Sequence, residues 1–147
     1  MTNRCKVKFD KIDLSSSISA VHIVLASEIN KETWYWIIDT GASNSTVNKD
    51  YKHLFSSVEA MQEQLVTASE HIEDGNLESA VIKNISFETF VIKDLPVILV
   101  NISHVCNIFE KELDIKVCGL LGADFMLRHK IKIDFESLEM ELEHDND

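Results

Sequence analysis

The chain has 147 residues, 45% of them apolar and 27% charged, with only 4 Gly and 1 Pro, which describes one globular domain with a core of its own and excludes a disordered or collagen-like chain. Its 14 Lys and Arg against 25 Asp and Glu leave a formal net charge of −11, so nucleic acids and other polyphosphates are repelled and are not expected as partners. No run approaches the roughly 18 unbroken apolar residues of a membrane helix, and alternating charges follow Met1–Lys6 where a signal peptide would be apolar, so a soluble, unexported, cytoplasmic protein with no membrane partner is expected.

The periodicity along the chain is mostly two, with β-branched and aromatic residues gathered in short runs, and this predicts a mainly β fold with a few short helices. Lys6 to Ile12 reads as a first strand and Leu14 to Ser17 as a loop. Ser19 to Leu25 and Trp34 to Ile38 are apolar on both faces, as core strands are, and the polar Glu28 to Glu32 joins them as a hairpin. Val91-Ile92 and Pro96 to Val100 are further core strands. Short helices are predicted over Asn48 to Phe55, Ser103 to Leu113 and Ala123 to His129. At the C-terminal end, Ile131, Ile133, Phe135, Leu138, Met140 and Leu142 share one face of a hairpin whose other face is charged. A two-residue turn at Glu136-Ser137 sets Ile133 opposite Met140, Lys132 opposite Glu141 and Lys130 opposite Glu143, so apolar and ionic pairing choose the same register.

The chemistry concentrates in Trp34-Tyr35-Trp36-Ile37-Ile38-Asp39-Thr40-Gly41-Ala42-Ser43. A dry strand delivers the Asp39 carboxylate into a tight turn, where Gly41 lets backbone N–H groups approach it and Thr40 adds a hydroxyl. Backbone donors aimed at a carboxylate hold it in place and favour its ionised form. About eighty residues later, Val117-Cys118-Gly119-Leu120-Leu121-Gly122-Ala123-Asp124 is a second apolar strand running into glycine.

Together these two segments resemble the retropepsin-like (retroviral-type) aspartic proteases, in which an Asp-Thr-Gly-Ala turn is packed from beneath by an apolar-apolar-Gly-x-[Asp/Asn] segment. The order of elements agrees over residues 18–143, leaving an N-terminal extension of residues 1–17 and an acidic tail of residues 144–147. The resemblance implies a single-lobe acid-protease barrel, an aspartic endopeptidase with no cofactor and no metal, and Asp39 as its catalytic residue. Because the chain carries one Asp-Thr-Gly and has room for one lobe, the second carboxylate must come from a second copy in a homodimer, and the substrate is a peptide or protein. Thr40, Gly41, Ala42, Ser43, Gly122 and Asp124 are the expected active-site support, Thr40 by bonding across the dimer. Val66 to Ala80 is the expected flap, including Val66, Ala68 and a tip at Asp74-Gly75, although family flaps are often richer in glycine. A further departure is that Ser43 and Ala123 stand where retroviral members pair an acid with an arginine, so the loops must be tied by hydrogen bonds or packing. Asp124 either buttresses the turn or caps the helix that follows.

Other readings of these residues fare less well. An ordinary polar turn accounts for Asp39-Thr40-Gly41 but not for the second motif, and the phosphate-binding hairpin of sugar kinases needs a longer, two-domain chain. Gly41-Ala42-Ser43-Asn44-Ser45 lacks the closing glycine of a nucleophile elbow. The six histidines show no metal-binding spacing, and His22 reads as a core residue. Cys5, Cys106 and Cys118 are far apart and odd in number, which suits buried thiols in a reducing compartment better than disulfides or a zinc knuckle. Trp34, Tyr35 and Trp36 read as core. A rival of a different class keeps the fold without catalysis, as a protease-like domain that binds extended peptides or serves only to dimerise.

Overall fold

The computed structural model describes residues 4–15, 19–60, 65–66, 71–72 and 77–144. The chain runs β1 (Arg4–Lys8), β2 (Asp10–Ser15), β3 (Ser19–Ile29), β4 (Glu32–Ile38), β5 (Thr46–Asn48), β6 (Ser56–Ala60), β7 (Leu65–Val66), β8 (His71–Ile72), β9 (Glu78–Phe87), β10 (Phe90–Val100), α1 (Ser103–Leu113), β11 (Val117–Leu121), α2 (Ala123–Arg128), β12 (Lys132–Asp134) and β13 (Glu139–Glu143). The fold is mainly β, as its periodicity predicts.

The large sheet has the order β2-β3-β4-β11-β5-β10-β9-β6, and a further pairing of β3 with β9 closes six of these strands into a barrel. The closure is made where Glu28 meets Ser86: β3 stays paired with β4 as far as Ile29 but runs on past its pairing with β2, which ends at Val24, so that its freed edge meets β9. Asn30 and Lys31, with φ of 52° and 66°, form the two-residue hairpin turn between β3 and β4 and match the right-handed twist of the strands they join. Inside the barrel Trp36, Leu25, Ile82, Phe87 and Leu121 are buried. Trp34 and Trp36 are core residues, as expected; Trp36 Nε1 donates to Ser27 Oγ at 2.9 Å and Ser27 Oγ donates to the Trp34 carbonyl at 2.7 Å, whereas the buried Trp34 Nε1 has no hydrogen-bond partner among the described residues.

A second sheet has the order β1-β13-β12. The pairs Ile133 with Met140 and Lys132 with Glu141 are those the charge and apolar patterns predict, and Lys132 Nζ and Glu141 Oε2 lie 3.6 Å apart. The turn differs from expectation. Asp134 Oδ1 accepts from the Glu136 N–H at 2.8 Å and the Ser137 N–H at 3.1 Å, and Leu138 takes a left-handed φ of 57°, so residues 135–138 all belong to the connection. Phe135 therefore leaves the apolar face and is 66% exposed. The segment set apart in sequence as an extension supplies β1 and β2. β1 pairs with β13 from Arg4 opposite Glu143 to Lys8 opposite Glu139, and Arg4 fastens the join through Glu141 at 3.2 Å and Glu143 at 3.1 Å.

Two helices lie at the expected places, α1 over Ser103–Leu113 and α2 over Ala123–Arg128. The third does not form. Asn48 ends β5, and only Lys52–Leu54 makes a short 3-10 turn. The local pattern there yields to pairing, since Val47 is held between Leu99 of β10 and Gly119 of β11.

Candidate active site

The position of Asp39 follows from one feature of the topology. β4 and β11 run parallel, with Ile37 beside Leu120 and Ile38 beside Leu121, and β5 lies antiparallel on the other side of β11. The chain between β4 and β5, residues 39–45, must therefore arch over the end of β11. Both ends of the arch are fixed by apolar pairing, so its polar residues are carried to the rim of the barrel.

Within the arch, the Asp39 N–H donates to the Leu121 carbonyl at 2.9 Å, and the Ala42 N–H donates to the Asp39 carbonyl at 3.1 Å. The Gly41 N–H donates to Asp39 Oδ1 at 3.0 Å. The carboxylate is half-buried, Thr40 and Gly41 are exposed, and Ala42 is buried beneath them. A carboxylate held by a backbone donor and only half-buried is the arrangement a reacting group needs.

The segment after β11 supports the arch from beneath. The Ala123 N–H donates to the Ala42 carbonyl at 2.7 Å, and the Asp124 N–H donates to the Ser43 carbonyl at 3.3 Å. A methyl group on Gly122 would lie 2.7 Å from the Ala42 carbonyl oxygen and 2.9 Å from the Asn44 carbonyl, and one on Gly119 would lie 1.9 Å from the Thr46 carbonyl oxygen. Both glycines are thus required by the close approach of the arch and of β5 to β11.

Asp124 has two functions in this arrangement. Its Oδ1 accepts from the Ser45 N–H and the Ser45 hydroxyl, each at 2.9 Å, and also from the Phe125 N–H at 2.8 Å at the start of α2. Ser45, fully buried, in turn accepts from the Gly122 N–H at 3.0 Å. This Ser45–Asp124–Gly122 network ties arch to support where the acid–arginine pair of retroviral members is missing. Neither Ser45 nor Gly119 is singled out by the sequence pattern. Gly119 lies within the motif and could have been found from its spacing, whereas a serine in a run of Ser, Asn and Thr carries no such signal.

The expected flap lies only partly within the described residues. Ser56 pairs with Val81 and Ala60 with Glu78, and further out Leu65 pairs with Ile72 and Val66 with His71. Both pairings are antiparallel. Ala68, Asp74 and Gly75 lie outside the described residues.

His22 is half-buried, its ring edge-on to Phe109 at 5.7 Å, and does not join the core as expected. Cys106 and Cys118 are buried and Cys5 is partly so, all as free thiols. Burial raises the pKa of all three, which makes them poor nucleophiles. Among the described residues, no cluster of His, Cys, Asp and Glu is placed to hold a metal ion, and no helix is long and apolar enough to cross a membrane.

No family model matches the sequence and no curated protein matches it. Among solved structures, the chain is similar to a retropepsin-like aspartic protease from Rickettsia conorii, with a TM-score of 0.53 at 15% identity over 98% of this chain and 92% of the other. At that identity the similarity concerns the fold: this chain has the single-lobe barrel of a retropepsin-like protease.

Proposed function

We propose that the protein is an aspartic endopeptidase whose active site is assembled by two copies of the chain, each contributing Asp39. The observation that carries this reading is the Asp39-Thr40-Gly41 arch, with its carboxylate held by the Gly41 N–H and braced from below by Gly122 and Asp124. The fold shared with a retropepsin-like protease supports it.

One lobe holds one such carboxylate, and a two-fold axis beside the arch brings in the second. Two carboxylates at that distance share one proton and titrate as a unit, the behaviour that defines aspartic proteases. The ionised Asp39 takes a proton from a water molecule, which attacks the scissile carbonyl. The protonated Asp39 of the other copy donates a hydrogen bond to the carbonyl oxygen, and a proton is then delivered to the leaving nitrogen. Thr40, exposed at the crown of the arch, is proposed to bond across the axis and fix the spacing of the pair. The arm of β6–β9, continued by β7 and β8, is proposed as the flap that closes over substrate and excludes water.

Cleavage of a peptide library, followed by mass spectrometry from acid to neutral pH, tests the reading. The wild type is expected to cut and Asp39→Asn to lose at least roughly a thousandfold in rate, as removal of the general base demands. Equal activity in the two excludes Asp39 as the catalytic group. A wild type that binds extended peptides without cutting them would instead establish the binding-only reading. A glycine-poor flap and the missing acid–arginine pair favour that reading, and the Ser45–Asp124 network supplies an alternative brace only for the second of these.

A further inference from the structure

Although the chain carries a net −11, the field inside a surface cavity is set by its own lining, because screening limits the reach of an exposed charge to about 8 Å in physiological salt. Two cavities follow the acidic character of the whole: Lys49 and Lys52 share one with Asp50 and Glu78, and Lys6 and Lys132 share another with Asp134, Glu139 and Glu141. A third has the opposite balance. It lies between β10, the end of α2 and the residue that follows β13, has a volume of about 160 Å³, and includes Phe90, Lys93, Asp94, Arg128, His129 and His144 in its lining. None of these residues belongs to the arch, to its support or to the proposed flap. We infer that this cavity binds a compact oxyanion of the phosphate type, held by Lys93, Arg128 and His144. The inference is independent of the protease reading.

Three observations point to that ligand. First, cations outnumber carboxylates. The one carboxylate of the lining, Asp94, is hydrogen-bonded to Lys83. That bond, with Lys93 and Arg128 adding to it, holds the Asp94 carboxyl below the usual carboxylate range, so three cations gather around a single ionised acid. The neighbouring Glu143 is engaged by Arg4 at 3.1 Å and Lys130 at 3.6 Å. A tetrahedral oxyanion offers charge and acceptors on every side to such a surplus of N–H donors. Second, the walls are fixed before a ligand arrives. Phe90 is buried, with His144 tilted against its ring at 4.2 Å and His129 edge-on to it at 5.3 Å. His129 is buried too and packs on Phe125 at 4.8 Å. Its Nδ1 lies 3.2 Å from the Glu143 carbonyl, so that nitrogen carries the hydrogen. With both imidazoles seated, mainly Lys93 and Arg128 have to be ordered on binding, which lowers its entropic cost. Third, the cavity is smaller than the roughly 300–1,000 Å³ of sites for drug-sized ligands and suits one anionic group. A cationic lining repels a metal ion, and a polyphosphate would extend beyond it over an acidic chain.

Titration of the full chain with inorganic phosphate, at an ionic strength held constant with sodium chloride, tests the inference by calorimetry and by the histidine ring signals in NMR. Saturable binding is expected, with a Kd on the order of 1 mM, together with movement of the His129 and His144 signals but not of those from His22, His53 and His104. Lys93 and Arg128 are exposed, so Lys93→Gln and Arg128→Gln should melt close to the wild type. Each is expected to weaken binding roughly tenfold, and the double variant to abolish it. Arg128→Lys, which keeps the charge without the planar fork, should recover part of the affinity, and Asp39→Asn should bind as the wild type does. Glycerol phosphate separates two sources of the ligand: affinity equal to that of inorganic phosphate supports a phosphomonoester, and binding of the inorganic ion alone supports the free ion. Acetate, singly charged, should bind at least roughly tenfold more weakly, and acetate that binds as tightly as phosphate overturns the assignment. No saturation by about 100 mM phosphate, equal movement of the same signals by chloride, or undiminished binding by the double variant overturns it as well. Binding that appears only in the Asp145→Asn, Asp147→Asn protein overturns it in favour of the chain's own acidic tail.

Discussion

Ser45 tests the bracing of the arch at the scale of one hydroxyl. Its Oγ both donates to Asp124 Oδ1 and accepts from the Gly122 N–H, so Ser45→Ala leaves a buried donor without its partner. The expected loss is about 1–3 kcal/mol in denaturant unfolding, and Ser45→Thr, which keeps the hydroxyl, should recover part of it. Asp124→Asn retains an acceptor oxygen and should cost less than Asp124→Ala, which removes three hydrogen bonds. A second residue-scale prediction concerns Tyr51. Burial, with the Cys106 sulfur next, pushes its hydroxyl from an ordinary 10.0 up to about 12. The folded protein then holds this proton after the unfolded chain has released it, so the contribution is complete below pH 10 and is lost as the pH rises towards 12. Tyr51→Phe should flatten the fall in stability across that window. A fall of the same steepness in both proteins would assign it to other groups, the raised thiols among them.

At the scale of elements, the arrangement depends on β11 lying between β4 and β5. The two dry strands that flank Asp39 and Gly122 were legible because a run apolar on both faces can only be internal, and the glycines after them mark where the backbone comes close. β5 was not legible. Thr46-Val47-Asn48 is too short and polar to announce a strand, and its conformation is set by neighbours distant in sequence. The C-terminal hairpin shows the same division within one element. Its register was readable because apolar and charged partners agree, whereas its turn was not, since the Asp134 side chain captures two backbone donors and lengthens the loop. Both glycines of the second motif should resist substitution. Gly122→Ala forces the arch away from its support and should cost about 1–3 kcal/mol, and should lower peptide cleavage even where the protein stays folded. Gly119→Ala, whose methyl meets the Thr46 carbonyl at 1.9 Å, should cost more. Thermal melts of the two variants check the order, and a Gly119→Ala protein as stable as the wild type would contradict the close packing of β11 on β5.

For the whole molecule, charge works against assembly. Each chain carries −11, so a dimer carries twice that, or −22. Because salt shortens the reach of this repulsion to about 10 Å at 0.1 M and less above it, the dissociation constant should fall as salt is raised. Sedimentation at low and high salt checks this, and tighter association at low salt would point to an interface held by ion pairs. The mainly β class was legible from periodicity and the retropepsin-like fold from its resemblance at two motifs, but the closure of the barrel was not. That depends on the contact of Glu28 with Ser86, one pair in a long strand whose composition does not mark it.

The shared active site is tested most directly by mixing. Peptide cleavage by a fixed amount of wild type is followed as Asp39→Asn is added and the chains are allowed to exchange. If each site needs one Asp39 from each copy, an equal amount of variant leaves one dimer in four fully competent and lowers the wild-type rate to about one half, with further loss as more is added. A rate that stays constant at every ratio, with exchange confirmed by mass, would show that one chain cuts alone and would contradict the account.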